Sequence, residues 1–479
     1  MRMAASAFLY SRGEGMLVMK FGGTSMGDAE CIARVAGLVE AARETDPRRV
    51  VVVSAMSGVT NALLAAARAA CTGPTAAGER LADLRARHEA TAHALLQTPA
   101  ERQAALAAIA SHLAEVLRCC ESIATLGEAT VRSLDRVAGV GERLASILLA
   151  AALRERGVAA EAVPATGMIV TDAHFGAAEP DLEATRPRVR ARLLPLVAEG
   201  VVPVVTGYIG ATAEGVPTTL GRGGSDFSAA ILGACLDADA VWIWSDVDGI
   251  LTADPNIVPE ARTLEELSYA DAATLAAFGA EVLHPKTVAP LVERGIPLRL
   301  LNTFNPNHPG TRIAGQPSLE GTRPPAIIST RGLRMLEVTG NGTRWGPAVA
   351  GRALSALAAA GVEVLMFSQS YSERTLTLLV RESDAEASLA ALRREFADDL
   401  ANGHLARLAA LAGVGTISVV AAAGRDGAAV VPKTFAALGR LEAQIVSVAQ
   451  SASEYHVSVV VPEEQVDDAV RFIHRELDA

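Results

Sequence analysis

The chain has 479 residues, half of them hydrophobic and 20% charged, a composition that excludes global disorder and is long enough for about three domains. Its 41 glycines and 22 prolines follow no Gly-X-Y period, which excludes a collagen. A net charge of −11 argues against nucleic-acid binding through an overall basic surface, and no apolar run approaches the ~20 residues of a membrane-spanning helix.

Residues 1–15 read as an N-terminal extension whose apolar patch is too short and too poorly flanked for a secretory signal. From Met16 onward, strands and helices alternate. MLVMKF (16–21) predicts a buried strand, followed by GGTSMGD and a helix from about Asp28. RRVVVVSAM (48–56) predicts a second strand, then SGVTN and an Ala/Leu-rich helix. Residues 79–156 are almost wholly helical in pattern, with Leu106, Ile109, Leu113 and Leu117 at helical spacing. VVPVVTGYIG (201–210) and ADAVWIWSDV (238–247) predict further strands. Such alternation implies an α/β fold with a mainly parallel sheet between helical layers, and ligands bound beyond the carboxyl ends of its strands.

The Pro- and Gly-rich stretch 305–325 reads as a linker. Beyond it the sequence repeats: SQSYSERTLTLLV (368–380) matches AQSASEYHVSVVV (449–461), and LRREF (392–396) matches IHREL (473–477) at the same offset of 81. Each copy reads as strand, helix, strand, strand, helix, a split βαβ unit with an antiparallel sheet. The five cysteines (31, 71, 119, 120 and 235) form no CxxC and no framework spacing, as expected of reduced thiols in the cytoplasm.

Three motifs carry chemistry. In Lys20-Phe21-Gly22-Gly23-Thr24-Ser25, a lysine ends a strand and two glycines let the backbone approach a ligand before a helix N-terminus, an arrangement suited to phosphate. The lysine precedes the glycines, so this is not a Walker A loop, and taken alone it also fits a turn with a surface lysine. In Thr219-Leu220-Gly221-Arg222-Gly223-Gly224-Ser225-Asp226, Arg222 can grip a carboxylate through two parallel hydrogen bonds, and Asp226 near a helix N-terminus can hold a catalytic lysine. The third, Ser245-Asp246-Val247-Asp248-Gly249-Ile250-Leu251-Thr252-Ala253-Asp254-Pro255, could face a nucleotide and its metal, although alone it reads better as an acidic surface turn. Neither a Ser/His/Asp set nor a zinc spacing is present.

Together with SAMSGVTN (54–61), GER (141–143) and FGAEVLHPKT (278–287), these segments resemble the aspartate kinases of the amino-acid kinase superfamily, and the repeated tail resembles their paired ACT regulatory domains. The resemblance implies a three-layer α/β/α amino-acid-kinase fold with a mainly parallel sheet, followed by two α+β ACT-like (split βαβ) domains. Expected boundaries are 16–304 for the catalytic domain, 305–331 for the linker, and 332–412 and 413–479 for the ACT-like domains.

The implied reaction is ATP-dependent phosphorylation of the β-carboxylate of L-aspartate to 4-phospho-L-aspartate, with Mg²⁺ and with no resident metal site on the protein. Carried over by motif, Lys20 stabilises the transferring phosphoryl group and Asp226 organises that lysine. Thr60, Glu142, Arg222, Gly223, Gly224 and Ser225 hold the substrate, with Glu142 receiving its ammonium group. Lys20, Phe21, Gly22, Gly23, Ser245, Asp246, Leu251 and Lys286 belong to the nucleotide side. Gln369 and Gln450, equivalent in the two repeats, bind an effector amino acid such as threonine or lysine. A cytoplasmic homodimer or homotetramer formed through the ACT-like domains is implied, with no nucleic-acid or membrane partner.

The chain departs from the family where Glu281 stands in place of a frequent lysine, which reverses a charge expected near ATP; Lys286 is the candidate to compensate. Leu251, Asn256 and Val140 also differ from some relatives. Two alternatives stand beside the leading reading: a kinase for another acidic substrate (glutamate, carbamate or UMP), and a non-catalytic amino-acid sensor.

Overall fold

The computed structural model describes residues 15–44, 46–277, 285–315, 324–341, 345–421, 429–450 and 456–477. They form two units. The first is built from the residues through Ile250, Glu265–Ala276 and 285–315; the second from Leu251–Leu264 and the residues from 324 onward.

The strands of the first unit are β1 (Met16–Phe21), β2 (Arg48–Val53), β3 (Ala160–Val163), β4 (Val170–Thr171), β5 (Val202–Thr206), β6 (Ile209–Thr212), β7 (Pro217–Thr219), β8 (Ala240–Ser245), β9 (Glu266–Ser268), β10 (Leu298–Asn302) and β11 (Thr311–Ala314). Eight of them make one sheet in the order β3-β5-β2-β1-β8-β10-β11-β9, parallel except for the β10–β11 pair. All six residues of β1 and Val50–Val53 of β2 are buried, as expected for central strands covered on both faces. A smaller sheet has the order β4-β6-β7.

The helix Ala29–Ala41 starts where the sequence predicts, with the Asp28 carboxylate accepting the Cys31 N–H as its N-cap. The long helical stretch divides into Pro74–Leu95, Pro99–Leu126, Val131–Ala138 and Val140–Glu155. Gly127, at φ 75°, supplies the left-handed turn that ends the longest of these.

Two expectations need correction. The single strand expected over 201–210 is two strands in different sheets, β5 and β6, because the chain turns at Gly207–Tyr208, where Tyr208 adopts φ 69°. The linker expected over 305–331 contains β11, paired with both β10 and β9, and the start of the next strand at Ala326; its residues 316–323 lie outside the described residues.

The second unit contains β12 (Ala326–Gly340), β13 (Met366–Ser370), β14 (Thr375–Arg381), β15 (Leu405–Val420), β16 (Ser447–Gln450) and β17 (His456–Pro462) in one antiparallel sheet, order β13-β14-β12-β15-β17-β16. Each repeat has the predicted strand–helix–strand–strand–helix order, with helices Pro347–Ala359 and Ala385–Glu395 in the first and Val430–Arg440 and Val466–Leu477 in the second. The repeats join through the long β12–β15 pairing.

The second repeat's core also takes in a segment from the middle of the expected catalytic domain. Ala253, Ile257 and Val258 are buried in one cluster with Val430, Val470 and Ile473. The Thr252 hydroxyl and His474 Nε2 share a buried hydrogen bond of 3.1 Å, the Thr252 carbonyl accepts the Ile327 N–H at 2.7 Å, and Arg471 Nε donates to the Ile257 carbonyl at 3.1 Å. The expected continuity of 16–304 is therefore interrupted at Leu251–Leu264, whose apolar residues pack into the second unit.

Candidate active site

The site assembles at the carboxyl ends of β1, β2, β5 and β8. Ser54 N–H donates to the Phe21 carbonyl at 3.1 Å and Gly207 N–H to the Val53 carbonyl at 2.9 Å, so the loops leaving these strands start side by side. Gly22 N–H donates to the Trp244 carbonyl at 3.1 Å, fixing the first glycine loop to the end of β8. Beneath it the Phe21 ring, fully buried, stacks on Trp244 with centroids 5.9 Å apart.

Lys20, next to last in β1, is buried and ion-pairs with Asp226 in the first turn of the helix Gly224–Leu236. An anion is favoured at that helix end, so the pair is held from both sides. The preceding turn needs its glycines: Gly221 and Gly223 have φ of 76° and 70°, a region that favours residues without a Cβ. Arg222 between them is exposed at the cleft.

Glu142 lies in the first turn of the helix Val140–Glu155 and is only 3% exposed. One carboxylate oxygen accepts the Ala55 N–H at 3.2 Å; the other has no partner among the described residues. Burial pushes its pKa up to about 8. Gly141 permits this placement, since a Cβ there would stand 2.7 Å from the Ala55 Cβ.

These groups line one cleft of about 680 Å³. Of the sequence-predicted residues, it brings together Lys20, Gly23, Thr60, Glu142, the run Arg222–Asp226, and Asp246. The others stand elsewhere. Gly22 and the buried ring of Phe21 do not line it, and Ser245 Oγ accepts the Val247 N–H at 3.3 Å. Lys286 ion-pairs with Glu179, and Leu251 belongs to the second unit. Glu281 lies outside the described residues. Gln369 and Gln450 occupy equivalent places on β13 and β16; the buried Nε2 of Gln369 has no partner among the described residues, and Gln450 is exposed.

The sequence reading missed Asn61, Gly176 and Tyr208, which also line the cleft. Asn61 was within reach, as the last residue of SAMSGVTN. Gly176 and Tyr208 sit in stretches with no recognised motif, and only their fold neighbours bring them in.

Among the described residues, no cluster of three or more His, Cys, Asp or Glu side chains could hold a metal ion. Asp248, in the acidic segment that follows β8, accepts hydrogen bonds from Asn302 Nδ2 at 2.9 Å and Asn305 Nδ2 at 3.1 Å. The cleft thus offers a buried ammonium, an exposed guanidinium and a glycine-rich helix start to anions, and one buried carboxyl group to a cation.

The amino acid kinase family matches residues 15–302, and the ACT domain matches residues 336–396 and 417–477. The chain belongs to the amino acid kinase family. Aspartokinase 3, chloroplastic, of Arabidopsis thaliana is 33% identical to this chain over 485 residues, covering 99% of this chain and 84% of the relative. Bifunctional aspartokinase/homoserine dehydrogenase 1, chloroplastic, of Zea mays is 33% identical over 470 residues, 97% of this chain and 50% of the relative. The chain spans about half the length of the curated relatives of this bifunctional kind. Among solved structures, E. coli aspartokinase III in complex with aspartate and ADP (R-state) superposes with a TM-score of 0.79 at 29% identity, covering 97% of this chain and all of that one. The same enzyme with lysine and aspartate (T-state) gives 0.77 at 28% identity, with the same coverage.

Proposed function

We propose that this amino acid kinase transfers the γ-phosphoryl group of ATP to the β-carboxylate of L-aspartate, forming 4-phospho-L-aspartate. The observation that carries this reading is the convergence of the Lys20–Asp226 pair, Arg222 and the buried Glu142 on one cleft. An amino acid with an acidic side chain has an ammonium for Glu142 and a carboxylate for Arg222, leaving its second carboxylate to face Lys20. Thr60 and the Gly223–Ser225 backbone complete the substrate side. The complexes of E. coli aspartokinase III with aspartate and ADP support the same pairing of ligands.

The nucleophile is a carboxylate with a solution pKa of ~3.9, already ionised at neutral pH, so the reaction needs no general base. The difficulty is bringing one anion to another. Lys20 offsets that repulsion and stabilises the charge that builds on the transferring group, with Asp226 aiming it. Gly23 serves the phosphates and Asp246 the rest of the nucleotide, both at the cleft; Phe21, Gly22, Ser245, Leu251 and Lys286 stay assigned to that side by motif alone. Mg²⁺ fits as an ion carried by the nucleotide rather than one caged by side chains, and its chemistry there is neutralisation of phosphate charge.

The second unit is proposed as the regulatory part. Gln369 and Gln450 are the candidate effector contacts, and the E. coli complex with lysine makes lysine, with threonine, the first amino acid to test. Such control is a population shift between two arrangements that bind the effector unequally. Assembly as a homodimer or homotetramer through this unit and a place in lysine and threonine biosynthesis belong to the same reading. The five cysteines are all unpaired, in keeping with a cytoplasmic location, and among the described residues no helix is long and apolar enough to cross a membrane.

The test is a hydroxamate-trapping assay with ATP and aspartate, run beside glutamate, carbamate and UMP, with lysine and threonine added in turn. Acyl-phosphate formation with aspartate alone supports the reading. ATP turnover with a different acceptor, or effector binding without any product, would replace it.

A further inference from the structure

Asp135 is 4% exposed and lies outside every motif that points to the reaction. Its carboxylate accepts three hydrogen bonds: Oδ1 from Thr219 Oγ1 at 2.7 Å, and Oδ2 from Thr219 N–H at 3.0 Å and Gly176 N–H at 2.9 Å. Such charge-assisted bonds are roughly twice as strong as neutral ones, and losing the acceptor would leave buried donors unpaired.

The donors are placed where the amino-acid side of the cleft is built. Thr219 ends β7 and leads directly into Leu220-Gly221-Arg222. Gly176 lines the cleft, and its carbonyl stands 3.2 Å from where a Cβ on Gly221 would be. Asp135 itself belongs to the helix Val131–Ala138, and its carbonyl accepts the N–H of Gly139, the residue that opens the helix carrying Glu142. Tyr208 also lines the cleft, and its carbonyl accepts the Leu220 N–H at 2.9 Å. One buried carboxylate therefore ties the helix pair bearing Glu142 to the turn bearing Arg222.

We infer that Asp135 is a positioning residue that sets the spacing between the ammonium-receiving Glu142 and the carboxylate-gripping Arg222, and so fixes the length of amino acid the cleft accepts. This rests on the substrate roles proposed above for those two residues. The nucleotide side is held differently, by Gly22 on the Trp244 carbonyl and by Asn302 and Asn305 on Asp248, and none of these contacts involves Asp135. The consequence is selective: disturbing Asp135 loosens the hold on aspartate and leaves ATP recognition alone.

The experiment uses the full chain and varies aspartate and ATP separately for Asp135→Ala, Asp135→Asn, Thr219→Val and, as a control, Arg222→Ala, with thermal melting alongside. A misplaced binding group of this kind predicts a KM for aspartate raised about tenfold in Asp135→Ala, with the KM for ATP within about twofold of the parent. Asp135→Asn should recover most of the loss, because its carbonyl oxygen can accept both N–H groups while its NH₂ faces Thr219 Oγ1. Thr219→Val, which removes only the hydroxyl bond, should raise the KM for aspartate about threefold and decides the matter if Asp135→Ala fails to fold. An unchanged KM for aspartate in a folded Asp135→Ala, or an equal rise in both KM values, overturns the inference. If Arg222→Ala leaves the KM for aspartate unchanged, the substrate roles themselves fall. If it raises that KM and Asp135→Ala does not, only the positioning role falls.

Discussion

Glu142 receives the Ala55 N–H at 3.2 Å on one carboxylate oxygen and keeps the other unpaired inside the protein. Burial holds its pKa at about 8, so near neutral pH the ligand-free side chain is mostly protonated. An arriving ammonium group favours the charged form and takes the proton off. Aspartate binding should therefore strengthen as pH rises towards 8, with the KM falling up to about tenfold per unit across pH 6–8. Glu142→Gln should raise the KM for aspartate and abolish that slope; a parent enzyme whose KM is flat over this range would contradict the assignment.

The same group sets a stability trend in the absence of ligand. Its folded pKa lies above the ordinary glutamate value of 4.5, so the folded state binds more protons than the unfolded one between pH 4.5 and about 8. Its contribution is fully present below that window and is lost as pH rises through it. Denaturant unfolding at several pH values should show Glu142→Gln with a flatter profile than the parent, and equal profiles would count against the burial argument.

Lys20 and Asp226 stand at the junction of β1 and the helix Gly224–Leu236, both largely shielded from water. Removing a preorganised charge that stabilises a transition state typically costs ~10²–10³ in turnover. Lys20→Ala should show a loss of that size, and Asp226→Ala a similar one through the misplaced lysine. Far-ultraviolet circular dichroism should remain that of the parent. Near-normal kcat in either folded variant would remove these residues from the mechanism.

Arg222 is exposed at the cleft, so its substitution should disturb binding more than folding. Arg222→Ala should raise the KM for aspartate by at least about tenfold with little change in melting temperature. Arg222→Lys should recover only part of this, because a single ammonium cannot reproduce the paired hydrogen bonds of a guanidinium. Full recovery by lysine would show that charge alone is recognised.

Gly141, in Glu142's helix, lies close against Ala55 in the loop after β2. An added Cβ would meet the Ala55 Cβ at 2.7 Å and Val59 Cγ1 at 3.2 Å. Gly141→Ala should cost about 1–3 kcal/mol in denaturant unfolding, as overpacked sites do, and should raise the KM for aspartate by shifting Glu142 from Ala55. A fully stable variant with parental kinetics would mean that the loop gives way freely.

Lys20 and Asp226 each sit in a short glycine-rich motif that the sequence displays, and the fold brings the two side chains together as an ion pair. Glu142 was visible as part of GER, yet its buried hydrogen bond is to Ala55, contributed by a distant segment. Asp135 gave no local sign, because its partners Thr219 and Gly176 lie on other elements. The break between β5 and β6 was hidden because a tyrosine, not a glycine, takes the left-handed conformation there. The split βαβ repeats were legible because a duplication displays its own period; the destination of Leu251–Leu264 was not, since an apolar stretch does not state which core it joins.

That stretch limits how the gene can be divided. A version stopped after the strand Thr311–Ala314 would keep Ala253, Ile257 and Val258 but discard Val430, Val470 and Ile473, the side chains that bury them. Thr252 would likewise lose His474 and the Ile327 amide. Chimaeras that swap tails between homologues must therefore exchange residues 251–264 as a matched cassette, or the borrowed half arrives with a hole in its interior.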